Sequence, residues 1–216
     1  MTRILLVRHG QTEWNAGSQS GEHFRGRIDI GLNALGVSQA QAVARCLGAL
    51  QVEAIYSSPL QRAIETARPL GQRLALDIQP CDGLLDIDYG EWAGHSQLEV
   101  AARWPEPYSW WRTAPQLVQI PGGECLADVH RRAQQGMSGI LQKHGDGTVV
   151  LVSHQAVNKV LICSWLGLGT AWFWRVGQDT GCINRFGYDG KDYAVLTLNE
   201  VCHLAECHSG LHGRPA

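Results

Sequence analysis

Apolar residues fall along the chain in two alternating patterns, short solid runs that end at polar groups and longer stretches at helical spacing. Residues 2–7 form a β-branched, Leu-rich run, the pattern of a strand buried on both faces. Ala40, Val43, Ala44, Leu47 and Leu50 share one face of a helix that Asn33 can cap. Residues 53–57 read as a second strand. Ser58, Pro59 and Gln61 then suit the N-cap, the first helical position and a capping box, with Leu60, Ala63, Ile64 and Ala67 as the buried stripe. Ile78 closes a third strand, before an irregular stretch over 81–94. Ser96 and Glu99 have capping-box spacing, Pro105 and Pro107 interrupt the chain after that start, and Pro121-Gly122-Gly123 marks a turn. Leu126, Val129, Ala133, Met137, Ile140 and Leu141 predict a long amphipathic helix. Residues 148–152 predict another buried strand, with a helix over 156–166 behind it. Asp189-Gly190 between β-like runs at 182–186 and 193–198 predicts a hairpin. The alternation predicts an α/β fold of three layers: a mainly parallel central sheet, helices on both faces and an edge hairpin. One domain over 1–208 is expected, with a flexible tail at 209–216.

Composition narrows this picture. A chain of 216 residues supports one good core. A formal net charge of -2 argues against a basic nucleic-acid-binding face. The longest apolar runs have about four residues, far below the ~20 that span a bilayer. The start of the chain lacks a signal-peptide pattern, so a cytoplasmic protein without membrane partners is expected. The seven cysteines are an odd number with no C-x-x-C, which suits small apolar residues better than a disulfide scaffold. The eight tryptophans include two clusters, Trp104, Trp110 and Trp111, and Trp165, Trp172 and Trp174. Such clusters usually serve a core or a subunit contact, and with the edge hairpin they suggest a homodimer.

The chemistry concentrates at strand ends. Arg8-His9-Gly10 follows the first strand, Arg62 lies in the first turn after the second, and Ser153-His154 follows the strand at 148–152. Singly, a His after a strand is usually a core or surface residue. In open α/β sheets, however, ligands bind outside the carboxyl ends of strands, so the three segments can meet. Two Arg and two His together repel unless an anion lies between them. Arg forks match phosphate oxygens, and helix N-termini add backbone donors. The expected ligand is a small, multiply charged anion, most simply a phosphoryl group such as a small phosphorylated metabolite carries, and a His in such a pocket is a candidate nucleophile.

At these residues the chain resembles the histidine phosphatase superfamily, in its phosphoglycerate mutase-like branch, over roughly 4–204. The segments that carry the likeness are LLVRHGQTEWN from Leu5, FRGRIDIGLNALG from Phe24 and SSPLQRAIETA from Ser57. DIDYGEWAG from Asp86, PGGE from Pro121, VSHQ from Val152 and NEVCHL from Asn199 complete it. The resemblance implies that His9 attacks phosphorus and carries a phosphohistidine. It implies that Arg8, Arg62 and His154 clamp the phosphoryl oxygens and that Thr12 and Asn15 line the same site. Arg25 and the backbone near Gly26 would reach the substrate. His9 should donate one N–H to a carbonyl, that of Gly10 or of a nearby loop, which fixes its tautomer. Tyr89, Arg112 and Gln155 are expected to touch the substrate.

One departure is informative. The family usually places Glu where this chain has Asp86, the residue that would protonate the leaving oxygen and then activate water. Asp88 and Glu91 are rival carboxylates, and alternation would send Asp86 and Asp88 to one face. The stretch 103–119 is compact and lacks the basic and proline residues that mutases carry there. A phosphatase is therefore expected, similar to broad-specificity and metal-independent phosphoserine phosphatases. The latter typically have His at the position of Tyr89. A cofactor-dependent phosphoglycerate mutase and a phosphate-ester-binding protein with little turnover are the alternatives. Arginines supply the charge in this chemistry, so no cofactor and no metal are expected. Cys202, His203, Cys207, His208 and His212 include zinc-ligand types, but their spacing matches no standard finger.

Overall fold

A computed structural model describes residues 1–15 and 23–208. The helices are α1 (Ala34–Leu47), α2 (Gln61–Leu74), α3 (Gln97–Arg103), α4 (Pro105–Thr113), α5 (Leu126–Lys143), α6 (Gln155–Trp165) and a short α7 (Ala205–His208). The strands are β1 (Thr2–Arg8), β2 (Ala54–Ser57), β3 (Ile78–Pro80), β4 (Thr148–Ser153), β5 (Ile183–Tyr188) and β6 (Tyr193–Glu200). They form one sheet in the order β3-β2-β4-β1-β5-β6. The β1–β4, β2–β4 and β2–β3 pairs are parallel. The hairpin β5–β6 runs antiparallel to β1 and forms the edge.

Alternation along the strands divides the core between two faces. Leu5, Val7, Ile55, Val150 and Val152 pack with Val43, Leu47, Ala63 and Leu70 of α1 and α2. Ile4, Leu6, Tyr56, Val149 and Leu151 pack with α5 and α6 through residues such as Val129, Ala133 and Leu161. The predicted three layers are thus present, with the sheet in the middle. Trp92 and Trp111 join the second face. Trp110, Trp172 and Trp174 are exposed.

Several boundaries differ from the sequence reading, each for a local reason. The first helix stops at Leu47 with Gly48 as its C-cap, while its expected start holds: the Asn33 side chain accepts from Gly36 N. The second begins at Gln61, and Ser58 is not its cap. Asp29 Oδ1 instead accepts the Gln61 N–H at 2.7 Å, and the Ser58 hydroxyl is engaged with His154 at 2.8 Å. Ile78 opens the third strand rather than closing it. Pro105 starts α4, because proline at the first helical position loses no helical hydrogen bond. The irregular stretch holds two single 3-10 turns, Asp82–Leu84 and Gly90–Trp92. The capping box of Ser96 and Glu99 is formed. The tail expected at 209–216 lies outside the described residues.

Candidate active site

The sheet order brings the carboxyl ends of β1 and β4 side by side. Arg8 pairs with Ser153 in register, and His9 N donates to Ser153 O at 2.9 Å. The next residue on each strand is a histidine, and the His9 and His154 rings lie 5.1 Å apart. Both are fully buried. His9 Nδ1 lies 2.7 Å from the Gly10 carbonyl. That acceptor places the proton on Nδ1 and the lone pair on Nε2. His9 Nε2 is buried and has no hydrogen-bond partner.

Gly10 is held from two sides. Its N–H donates to Thr66 Oγ1 at 3.0 Å, and that hydroxyl donates to Arg62 O at 2.7 Å. A Cβ on Gly10 would meet Gly36 O at 2.6 Å, and one on Gly36 would meet Gln11 O at 2.0 Å. The starts of α1 and α2 therefore fix the carbonyl that sets the His9 tautomer.

Main-chain carbonyls hold the arginines. Arg8 donates to Gln178 O. Arg62, with no exposed surface, donates to Ile28 O at 3.0 Å and Gly26 O at 2.7 Å. It also pairs with Asp86 Oδ2 at 3.1 Å. Arg25 donates to Thr12 Oγ1 at 3.0 Å, and Thr12 donates in turn to Asn15 Oδ1 at 3.1 Å. Gly26 takes φ +50°, and a Cβ there would meet Ile87 O at 2.7 Å. Its carbonyl serves Arg62.

His154 has its own orientation. Leu60 N donates to Ser58 Oγ at 3.4 Å, and His154 Nε2 lies 2.8 Å from the same hydroxyl. His154 Nδ1 lies 3.7 Å from Asp86 Oδ2. Burial holds His9 well below its ordinary range, aided by the charges of Arg62, Arg25 and Arg8 and opposed by the Gly10 carbonyl. Burial does the same to His154, with Arg62, His9, Arg25 and Arg132 adding to it. Both rings are neutral at pH 7, as a nucleophilic imidazole must be.

The Asp86 loop is fixed from below by residues that the sequence reading did not single out. Arg132 of α5 donates to Gly83 O, Leu85 O and Asp86 O at 3.1, 2.7 and 3.0 Å. Glu124 grips the same guanidinium in a bidentate pair at 2.8 and 3.0 Å. Burial opposes the charge on Glu124, but Arg132 and the Asp88 N–H hold its pKa down. Glu124 lies in the PGGE segment, whereas Arg132 occupies a helix position with no local signal. The rival carboxylates are engaged elsewhere or lie in solvent. Asp88 faces Arg27 at 3.5 Å and accepts from Gly90 N, and Glu91 is exposed. The expected common face for Asp86 and Asp88 therefore does not serve one site.

A cleft of about 220 Å³ opens beside Asp86 and Arg25. Tyr89, Trp111 and Trp174 wall it, and Arg112, Gln155 and Gln97 add polar groups. Tyr89 and Arg112 lie on separate segments, joined through the edge-to-face contacts of Tyr89, Trp111 and Trp174. The Arg112 guanidinium lies 6.0 Å from the centre of the Trp174 ring. Arg8, His9, Arg62, Asp86 and His154 thus form one floor, with Thr12, Asn15 and Arg25 along one side. Tyr89, Arg112 and Gln155 belong to the adjoining cleft.

A buried ring nitrogen without a hydrogen-bond partner, among guanidinium groups, suits transfer of a phosphoryl group. The comparisons with known proteins agree. The model of the histidine phosphatase superfamily (branch 1) matches residues 4–201, and the chain belongs to that family. It is similar to phosphoserine phosphatase 1 of Hydrogenobacter thermophilus, at 32% identity over 98% of this chain and 99% of the relative. It is also similar to a glucosyl-3-phosphoglycerate phosphatase of Mycolicibacterium vanbaalenii, at 35% identity over 77% of this chain and 75% of the relative. Among solved structures, YhfR of Bacillus stearothermophilus superposes with a TM-score of 0.89 at 27% identity, covering 94% of this chain and 100% of that one. The enzyme class that this family and these relatives define is the phosphoric monoester hydrolase. No helix among the described residues is long and apolar enough to cross a membrane.

Proposed function

We propose that the chain hydrolyses a small phosphate monoester in two steps through a phosphohistidine on His9. The observation that carries this reading is His9 Nε2, buried and without a hydrogen-bond partner beside the guanidinium groups of Arg8 and Arg62. In the first step the Nε2 lone pair attacks phosphorus, and the bond from phosphorus to the leaving oxygen breaks. The Asp86 carboxyl gives that oxygen a proton, so the alcohol departs neutral. In the second step the Asp86 carboxylate takes a proton from water, the oxygen attacks phosphorus, and the N–P bond breaks. Inorganic phosphate leaves, and Asp86 and His9 regain their starting states. Arg8, Arg62 and His154 face the charge on the phosphoryl oxygens throughout.

The cleft beside Asp86 is where the departing alcohol lies. Its aromatic walls favour carbon surface, and Arg112 makes no ion pair among the described residues. A second anionic group on the alcohol suits that guanidinium. Phosphoserine and glucosyl-3-phosphoglycerate, named in the relatives, both carry a carboxylate there. The seven free cysteines fit a reducing, cytoplasmic compartment. The exposed Trp110 and Trp172 offer a surface for a homodimer.

The test is phosphate release in EDTA from phosphoserine, 3-phosphoglycerate, α-ribazole phosphate and p-nitrophenyl phosphate, with wild type beside His9→Ala. Release that depends on His9, with trapping of labelled phosphate on that residue, is expected. Isomerisation of 3-phosphoglycerate faster than its hydrolysis would make the chain a mutase. Tight ester binding without turnover would make it a binding protein.

A further inference from the structure

A second group of reactive side chains lies where the C-terminal segment meets α1. Cys46 is in the last turn of α1, Glu200 ends β6, and His203 is in the 3-10 turn Cys202–Leu204. One ligand-type atom from each lies within 4.8 Å of the other two, and no other trio among the described residues meets that condition. None of the three is fully exposed.

The histidine supplies an independent observation. His203 Nε2 lies 3.0 Å from Gly181 O, an acceptor only, so this nitrogen carries the proton. The lone pair is then on Nδ1, which is buried and has no hydrogen-bond partner. A ring fixed by a carbonyl at one nitrogen and bare at the other is the usual arrangement of a metal-bound histidine. Arg185 orients the other two donors. Its Nε donates to Glu200 at 2.8 Å, and its Nη2 lies 3.7 Å from Cys46 Sγ.

We infer that Cys46, Glu200 and His203 bind a borderline-soft divalent ion of the zinc type. Thiol, imidazole and carboxylate are the donor types that such an ion takes together. Coordination replaces the Cys46 S–H bond with a sulfur–metal bond and releases one proton to solvent. The thiolate and the Glu200 carboxylate carry the two negative charges that balance the ion, and Arg185 keeps its contact with Glu200. A groove lined by Cys46, His203 and Arg45 opens on one side, so water can complete the tetrahedron. The ion would tie the end of α1 to the C-terminal segment. Gly181 extends the connection, because its N–H donates to Arg8 O and His9 O at 3.1 and 3.2 Å. This inference does not depend on the phosphatase reading, and Arg8, His9 and Arg62 need no ion there.

The test uses the full chain, free of any tag and stripped of metal, titrated with Zn²⁺ and separately with Co²⁺. One equivalent should bind, and Co²⁺ should show a thiolate charge-transfer band in the near ultraviolet. Cys46→Ser should abolish the band, and Glu200→Gln should weaken binding by at least about tenfold. Both variants are checked for an unchanged circular dichroism spectrum. Cys207→Ser should keep the band. Absence of stoichiometric binding would overturn the inference. So would a band that survives Cys46→Ser but disappears in Cys207→Ser, because the ion would then sit on the C-terminal residues alone.

Discussion

Around His9 the candidate side chains are buried, and main-chain carbonyls hold His9, Arg8 and Arg62. Around Arg112 the walls are aromatic, the guanidinium is exposed, and its described neighbour is the Trp174 ring. Arg62 answers to Ile28 and Gly26, Arg8 to Gln178, and Arg132 to three carbonyl acceptors in the Asp86 loop. A carbonyl cannot be removed by changing a side chain, so the floor keeps its geometry while the cleft above it is free to vary. On the proposed mechanism, the chemistry of the site rests on groups that the backbone holds and its selectivity on exchangeable side chains.

Removing parts of each region tests that contrast. His9→Ala takes away the nitrogen proposed to attack phosphorus and should reduce turnover to the assay background, with little change in melting temperature. Arg62→Ala should lower kcat/KM by a factor of ~10³ or more for every ester, by analogy with arginines that stabilise transferred phosphoryl groups. Asp86→Asn should slow alkyl phosphates by roughly 10²–10⁴ and p-nitrophenyl phosphate much less, because that leaving group needs little protonation. Equal losses on both would remove Asp86 from the role of acid. Arg112→Ala should raise KM about tenfold for carboxylate-bearing esters and leave p-nitrophenyl phosphate nearly unchanged. If Arg112→Ala acted alike on all esters, the cleft would belong with the floor.

Protonation gives a further comparison, smaller in effect. His9 and His154 have folded-state pKa values below those of the unfolded chain. The unfolded chain therefore binds more protons as pH falls below about 6.5. Stability rises with pH where the unfolded state holds more protons. The stability these neutral rings contribute is fully present above that value and is lost as pH falls towards their folded-state pKa values. Chemical denaturation between pH 7.5 and 5 should show the loss. Inorganic phosphate should reduce it, since a bound anion screens the arginines from both rings. His154→Asn should flatten the profile.

Much of this architecture was legible in the chain. The runs at 2–7 and 148–152 are strands because they are buried on both faces, and the residues after them share one sheet end. The sequence left the His9 acceptor open between Gly10 and a nearby loop, and the fold selects the Gly10 carbonyl. The misreadings arose where a distant residue took over a local role. Ser58 has every local property of an N-cap, but its hydroxyl meets His154, which is 96 residues away, and Asp29 caps the helix instead. Arg132 looks like a solvated position on an amphipathic helix, and only the folded loop around Asp86 gives it three acceptors. The trio of Cys46, Glu200 and His203 is spread over more than 150 residues, so no spacing rule could have joined it.

The mutual contact of Gly10 and Gly36 has a consequence for sequence drift. Each leaves no room for a side-chain carbon on the other's segment, so neither can change first, and no compensating partner change is available. A library of all single substitutions, selected for phosphatase activity, should be as empty at Gly36 as at Gly10, although Gly36 lies on a helix and touches no reacting atom. The permitted history of the first helix is thereby tied to that of the nucleophile.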